Sequence, residues 1–474
     1  MGECESEGYE IFGNDVDSFL QQYYSASEIM TLRNTVQIPP DTTIRINTLL
    51  VTDSETQVVS KLEEYIKSLP IYSEVDFKSM TDFIRMHPKI PDLVVIKTTG
   101  PHLIDSNEIE KRVPKVWVDR ICAEAVLRGA NVFAPGVKAA EFKVEVGCEV
   151  EIHADLDDRI TKGSTFAHSG NVNDLTSPKT LHIGNGIAQF SREDMFGNSE
   201  NSVRSGIAVV VTHPLYRAPP LNGILKSLIY PQNLPSVLVA HVLNPQPNEY
   251  VMDMCASPGG KTSHIAALMQ NQGRIIALDK NTKKIQQLKS TLDELQVSMV
   301  RSFAQDATKY RKYIMNENEN PNLVNTEEGK PLRLQRESFD RILVDASCSA
   351  LGMRPRLRHS DVTREQLESY PKHQMNILRA AVMLLKVNGI LTYSTCTLNP
   401  NENEGNVFRA LSAFPLQLEA PDDPKFMIGS HGRLDMGLSE QQACLVQRFD
   451  LSHPDSNSNP AFFCARFRKT AHFN

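Results

Sequence analysis

From about residue 248 onward the apolar positions fall into short runs separated by helix-length amphipathic stretches, the alternation that builds a parallel sheet flanked by helices. Tyr250-Val251-Met252 opens the series and enters a turn of small residues, Cys255-Ala256-Ser257-Pro258-Gly259-Gly260-Lys261-Thr262. Ile265, Ala266, Ala267, Leu268 and Met269 then carry a helix. Further strands are predicted at 274–278, ending in Asp279, near 298–304, ending at Asp306, and at 339–345, running into Ala346-Ser347-Cys348-Ser349. A long helix from about 363 to 385 precedes a strand at 389–397, and 461–467 reads as a closing strand. The expected fold class for 248–474 is α/β, with a doubly wound, mostly parallel Rossmann-like sheet.

The pattern upstream is different. In residues 1–112, Phe19, Leu20, Tyr23 and Tyr24 mark one short amphipathic helix, and 42–49 alternates as a strand. Ser54-Glu55-Thr56-Gln57 reads as a capping box opening a helix with Val58, Leu62, Tyr65 and Ile66 on its apolar face, and 93–96 is another strand. This α+β, RRM-like fragment is too small to bury a core alone and is expected to dock elsewhere. Residues 113–206 give a helix around Ala123, Ala125, Val126 and Leu127, then short strands with glycine turns, which suggests a small β-barrel. Residues 207–247 form a proline-rich linker and a bridging helix over 234–243, started by Pro235 and stopped at Asn244-Pro245. A polar loop is expected over about 316–337, and His241 is expected to be packed or at the surface, not catalytic.

A chain of 474 residues needs two or three cores, and 41% apolar with 23% charged residues is the composition of a globular protein. No apolar run approaches the roughly 18 residues of a membrane span. Met1-Gly2-Glu3-Cys4-Glu5-Ser6 fits a loose myristoylation pattern, but its acidic residues favour a solvated terminus. The eight cysteines show no metal-type spacing, so no metal is expected, and they point to a reducing compartment. Five of them, Cys122, Cys148, Cys255, Cys444 and Cys464, are expected as buried apolar fillers. A net charge of −7 argues against a general nucleic-acid binder but leaves room for a local basic face.

The turn at 255–262 ends in Gly-Lys-Thr, yet a P-loop would need glycine at Cys255, and G-x-G-x-x-G is absent. What remains is a site for a nucleoside without a polyphosphate, with Asp279 free to accept from ribose hydroxyls; S-adenosylmethionine fits. Cys348 and Cys396 are 48 positions apart, yet both follow predicted strands that should be neighbours, at about 4.8 Å spacing. Both sulfurs should therefore open into one crevice beside Asp345. Two thiols, a carboxylate and a methyl donor suit methylation of cytosine at C5, in which a thiolate adds to C6 and charge on the ring is stabilised at N3.

Two resemblances follow. Val126-Leu127-Arg128-Gly129-Ala130 with Pro135-Gly136, and Gly184-Asn185-Gly186-Ile187-Ala188, resemble a PUA domain, an RNA-binding pseudo-barrel. Arg128, Lys138, Arg159 and Lys162 are candidates for phosphate contacts, Phe133 for base stacking, and Asn185 for a further RNA contact. The turn at 255–262, Asp345-Ala346-Ser347-Cys348-Ser349 and Tyr393-Ser394-Thr395-Cys396-Thr397, followed by Asn401-Glu402-Asn403-Glu404, resemble the Sun-domain family of RNA cytosine-C5 methyltransferases. With the PUA block, the resemblance narrows to its PUA-bearing branch, which methylates tRNA near the acceptor 3′ end.

The resemblance implies that Cys396 is the nucleophile, that Cys348 assists product release, and that Asp345 holds N3 and the exocyclic amine. It also implies that Cys255, Ala256, Ser257, Pro258, Gly259, Gly260 and Lys261, with Asp279, Asp306 and Asp345, hold S-adenosylmethionine. Lys261 would steady the negative charge of the site. The family's usual proline before the first cysteine is Ser347 here, and its usual glycine two residues after that cysteine is Ala350. Ser347 motivates the alternative of an RNA-binding PUA protein with a weakened methyltransferase domain. The basic run Arg354, Arg356, Arg358 and His359 is expected against RNA backbone. The expected partner is tRNA, with no membrane, and the chain is expected as a monomer in the cytoplasm, a nuclear fraction being left open.

Overall fold

Three β-sheets divide the chain, each over its own hydrophobic cluster. The structure is a computed structural model and describes residues 11–51, 55–72, 75, 83–104, 113–164, 178–197, 205–221, 223–315, 332–359, 362–452 and 458–473. The N-terminal lipidation pattern, Ser54 of the expected capping box and most of the expected polar loop lie outside the described residues.

The largest sheet has eight strands and is α/β as expected. Its parallel strands run in the order Val300–Ala304, Arg274–Asp279, Tyr250–Asp253, Phe339–Asp345, Leu385–Thr395. Phe462–Lys469 then pairs antiparallel with Leu385–Thr395, and Leu416–Leu418 and Val446–Phe449 pair with it in turn. The parallel strands are apolar toward both faces because helices cover both. Arg364–Leu384, opened by a capping box between Thr363 and Gln366, packs Ile377, Leu378 and Ala381 on one face. Leu234–Leu243 and Gly260–Leu268 cover the other with Val237, Leu238, Ile265 and Ala266. The chain moves outward through its first three strands and returns to Phe339–Asp345, so its direction reverses beside Tyr250–Asp253. At such a reversal the loops leave to opposite sides and open a crevice at the strands' carboxyl ends.

The N-terminal fragment is a four-stranded antiparallel sheet whose edge strand, Ile229–Pro231, comes from the expected linker. It docks as expected through Leu93, Val95 and Ile90, which share a cluster with Leu234–Leu243. Fully buried Arg45 donates to Gln232 Oε1 at 2.9 Å and Ser263 Oγ at 2.8 Å across the same junction. His241 Nε2 and His264 Nε2 lie 2.8 and 2.7 Å from the two oxygens of Asp92, so His241 is a packing residue.

Two expectations are corrected upstream. The single helix before residue 40 is a pair, Asn14–Leu20 and Ala26–Gln37, because Ser25 and Glu28 form a capping box that starts the second. Both lean on the large domain, with Phe12, Phe19 and Leu32 against Leu351, Leu367 and Leu398. The barrel also continues past 206: Ile207–Pro214 pairs with Thr180–Ala188 and, among the described residues, is the one ladder partner of Val132–Phe133. Without those eight residues the six-stranded sheet would lose the strand next to its edge and leave Val132–Phe133 without a ladder partner among the described residues.

Candidate active site

Asp345 and Ser394 are register partners on neighbouring parallel strands. The short segments beyond them therefore emerge side by side, and they bring the Cys348 and Cys396 sulfurs to 3.3 Å. Both cysteines are half-buried. Asp345 receives the Ser394 hydroxyl on Oδ1 at 2.6 Å and Lys261 Nζ on Oδ2 at 2.7 Å. Lys261 in turn stands over the Phe462 ring, 5.6 Å from its centre. Burial works against its charge, but Asp345 outweighs burial and holds its pKa above the usual lysine value.

The two thiols are inequivalent. A hydrogen bond from the Cys348 thiol lowers the pKa of Cys396 against burial, and Lys261 adds to the lowering. The same bond, together with burial, raises Cys348 well above the usual thiol value. These directions make Cys396 the thiol of the pair that ionises more readily, and a lowered pKa is what makes a cysteine a better nucleophile.

The small-residue turn lies next to this pair. Gly259 adopts φ +111°, and a Cβ there would come within 2.9 Å of Leu288, so the turn requires glycine. Beneath it Asp253 accepts from Thr262 Oγ1 at 2.8 Å and from the Cys255 N–H at 3.3 Å. Burial raises the Asp253 pKa to about 7. Asp279, at the tip of the adjacent strand, accepts the Asn281 N–H on one oxygen, and no partner is seen for the other among the described residues. Asp306 is held by Thr308, whose N–H and hydroxyl both reach Oδ1. A helix N-terminus, a glycine turn and a carboxylate with a vacant acceptor suit a nucleoside carrying no phosphate, so the residues present fit S-adenosylmethionine.

A cleft of about 780 Å³ joins all three parts of the molecule. Cys396, Asp345, Lys261 and the turn residues Cys255, Ala256, Ser257, Pro258 and Gly260 wall its floor. Ile121, Glu124 and Arg128 wall the barrel side, and Thr43 and Tyr230 the N-terminal sheet. Gly259, Asp279, Asp306 and Cys348 are not on this wall.

The expected RNA-contacting residues separate. Arg128 faces the cleft, and Phe133 (45% exposed) and Lys162 are at the barrel surface. Asn185 is corrected: it is 7% exposed, sits inside Thr180–Ala188 and bonds His182 at 2.8 Å. Lys138 is engaged by Asp155 and Asp158, and Arg159 by Asp157. Three members of the basic run are engaged within the protein. Arg354 donates to the Ile38 and Asn459 carbonyls, Arg356 pairs with Glu124 at 3.1 Å, and buried His359 stacks near Phe12. These side chains fasten the N-terminal helices and the barrel to the catalytic domain, although Arg354 and Arg356 also touch the cleft wall. Of the five cysteines expected as fillers, Cys464 alone is buried, Cys444 is exposed, and Cys255 lines the cleft.

Ser394, Asp253, Phe462 and Tyr230 carry parts of the site without having been singled out. Ser394 stood in a quoted strand, and its place two residues before Cys396 was the available signal; Tyr230 and Phe462 arrive from distant segments and gave none.

Residues 240–468 match the family model described as 16S rRNA methyltransferase RsmB/F, and 114–196 match the PUA domain. The chain is 39% identical over 415 residues to the mouse tRNA (cytosine(72)-C(5))-methyltransferase NSUN6, covering 87% of this chain and 79% of that one. It is 30% identical over 568 residues to the Arabidopsis thaliana rRNA (cytosine-C(5))-methyltransferase NOP2C, covering 98% and 93%. The crystal structure of NSun6 from Pyrococcus horikoshii with SFG superposes with a TM-score of 0.73 at 29% identity, covering 98% of this chain and 99% of that one.

Proposed function

This chain belongs to the RsmB/F methyltransferase family, and from that premise we propose that it methylates C5 of a cytosine at the acceptor end of tRNA. The observation that carries the reading is Cys396 on the floor of a cleft that reaches the PUA barrel, with the Cys348 sulfur 3.3 Å from its own. S-adenosylmethionine is the cofactor and supplies, when bound, an electrophilic methyl group on a positive sulfur.

The chain's own residues do the rest. Cys396 adds as thiolate to C6 and breaks the aromaticity that makes C5 inert. Asp345, fixed by Ser394 and Lys261, faces the ring nitrogen and amine where negative charge builds, and Lys261 steadies that charge. Once C5 is methylated, Cys348 gives its proton to the departing Cys396 sulfur as the Cys396–C6 bond breaks, and the Cys348 thiolate so formed takes the C5 proton. Turn residues 255–261, with Asp279 and Asp306, hold the cofactor. Arg128, Phe133 and Lys162 hold the RNA end, which must present an unstacked base to reach the cleft floor. A free thiol pair suits a protein working in the reducing cytoplasm.

Methyl-labelled S-adenosylmethionine offered with tRNA transcripts and with rRNA fragments tests the proposal. Label at a cytosine of the tRNA acceptor end is the expected result. Label confined to rRNA would move the substrate, and bound tRNA with no label at stoichiometric protein would favour the RNA-binding alternative that Ser347 suggested.

A further inference from the structure

Behind the sulfurs lies a buried carboxylate that the chemistry above does not use. Glu402 has no exposed surface and, among the described residues, no cation within ion-pair distance. Four hydrogen bonds converge on it. Oε1 accepts the Ser349 hydroxyl at 2.5 Å and Asn399 Nδ2 at 2.9 Å. Oε2 accepts the Ser349 N–H at 3.2 Å and Gln374 Nε2 at 2.7 Å.

Every partner is a donor, so only a group with two acceptor oxygens and no proton of its own satisfies them all; a glutamine would set an N–H₂ against two of the donors. A buried carboxylate without a countercharge is expensive, and burial accordingly raises the Glu402 pKa against those donors. A neighbouring acid shows the usual solution: Glu404, equally buried, is met by Arg448 at 3.0 Å.

What the four donors have in common is their position along the chain. Ser349 follows Cys348, and its hydroxyl also meets Thr397 Oγ1 at 2.6 Å, the residue after Cys396. Gln374 Nε2 also donates to the Ser347 carbonyl at 3.1 Å, the residue before Cys348. Asn399 continues the Cys396 segment. One carboxylate therefore ties down the backbone on both sides of one cysteine and directly after the other. Its negative charge disfavours ionisation of both thiols, so what it contributes to the pair is placement.

We propose that Glu402 is a positioning residue for the two-thiol chemistry, a hub that sets the relative place of Cys348 and Cys396. The proposal rests on the roles given to the two cysteines above. Sub-ångström slippage between reacting groups is costly in rate, whereas among the described residues no hydrogen bond joins the Glu402 carboxylate to the cofactor turn or the barrel.

The test compares Glu402→Gln with wild type in the full chain, with tRNA transcript and S-adenosylmethionine. Cofactor Kd and RNA KM should stay within about twofold while kcat falls about 10- to 100-fold. The Cys396–RNA adduct should decay more slowly, and this slowing should vanish in a Cys348→Ala background, since the hub acts through Cys348. Should Glu402→Gln fail to fold, Ser349→Ala, which removes the bridging hydroxyl and leaves the carboxylate, should show the same split with a smaller fall. Wild-type kcat in either folded variant would overturn the proposal, as would a loss that adds in full to that of Cys348→Ala. Loss of the cooperative melt in both would reduce Glu402 to a folding residue. If wild-type protein itself forms neither adduct nor methylcytosine, it is the proposed function that fails.

Discussion

Lys261→Gln removes the cation that pairs with Asp345 and whose charge lowers the Cys396 pKa. An opposite charge within about 4–6 Å moves a pKa by roughly 1–3. The Lys261 side chain is 15% exposed and that of Asp345 26%, so water screens part of the field, and the lower half of the range applies. The substitution also leaves the Asp345 carboxylate uncompensated beside the thiol, which acts in the same direction. Cys396 should therefore ionise about one to two pH units higher, a cost of roughly 1.4–2.7 kcal/mol to its thiolate. At any fixed pH below both pKa values, its thiolate population falls about tenfold to a hundredfold. The assay is the rate of iodoacetamide alkylation at Cys396 as a function of pH, read by mass spectrometry of the Cys396 peptide. The wild-type rate should level off at lower pH than that of Lys261→Gln, with Lys261→Arg between them. Coincident profiles would refute the assignment of Lys261 as the group that stabilises the thiolate.

Other consequences are independent of that one. Ala350 adopts φ 55°, where the family resemblance expects glycine, and a left-handed alanine costs about 1 kcal/mol, so Ala350→Gly should raise the melting temperature of the catalytic domain slightly. Arg128→Ala should weaken tRNA binding and lower the salt slope of log K by about 1, whereas Asn185→Ala should change neither, and filter binding across a salt series distinguishes them. Burial lowers the His359 pKa to about 3, so between the ordinary histidine value and that pH the unfolded chain binds the extra proton. Stability contributed by neutral His359 is thus present above about pH 6.5 and is lost as pH falls toward 3; His359→Gln should flatten the acid limb of a melting-temperature series.

The meeting of Cys348 and Cys396 was legible because each follows a mostly apolar strand, and a doubly wound sheet leaves few places where two such tips can be. Asp345 was legible for the same reason, whereas Lys261, at the start of the helix Gly260–Leu268, came only from the family resemblance. Asn185 was offered as an RNA contact alongside the PUA resemblance, but its strand is closely approached by the next: a Cβ on Gly184 would meet His213 O at 2.9 Å and one on Gly186 would meet Val210 O at 2.4 Å. Arg354, Arg356 and His359 were misread because a run of bases looks solvated until the carbonyls of Ile38 and Asn459 and the carboxylate of Glu124 are seen beside them. Glu402 stood in the quoted motif, but a buried charge is defined by donors from Ser349, Gln374 and Asn399, which no local pattern brings together. The barrel boundary slipped because Ile207–Pro214 finds its partners at Thr180–Ala188 and Val132–Phe133.

Two sulfurs in contact are assigned opposite tasks, one to form the bond to RNA and the other to help undo it. Denaturing gel electrophoresis of Cys348→Ala and Cys396→Ala after incubation with tRNA transcript and S-adenosylmethionine tests that division most directly. Cys348→Ala should retain a band of protein covalently joined to RNA, and Cys396→Ala should give neither that band nor product. A persistent band with Cys396→Ala and none with Cys348→Ala would reverse the roles and contradict the account.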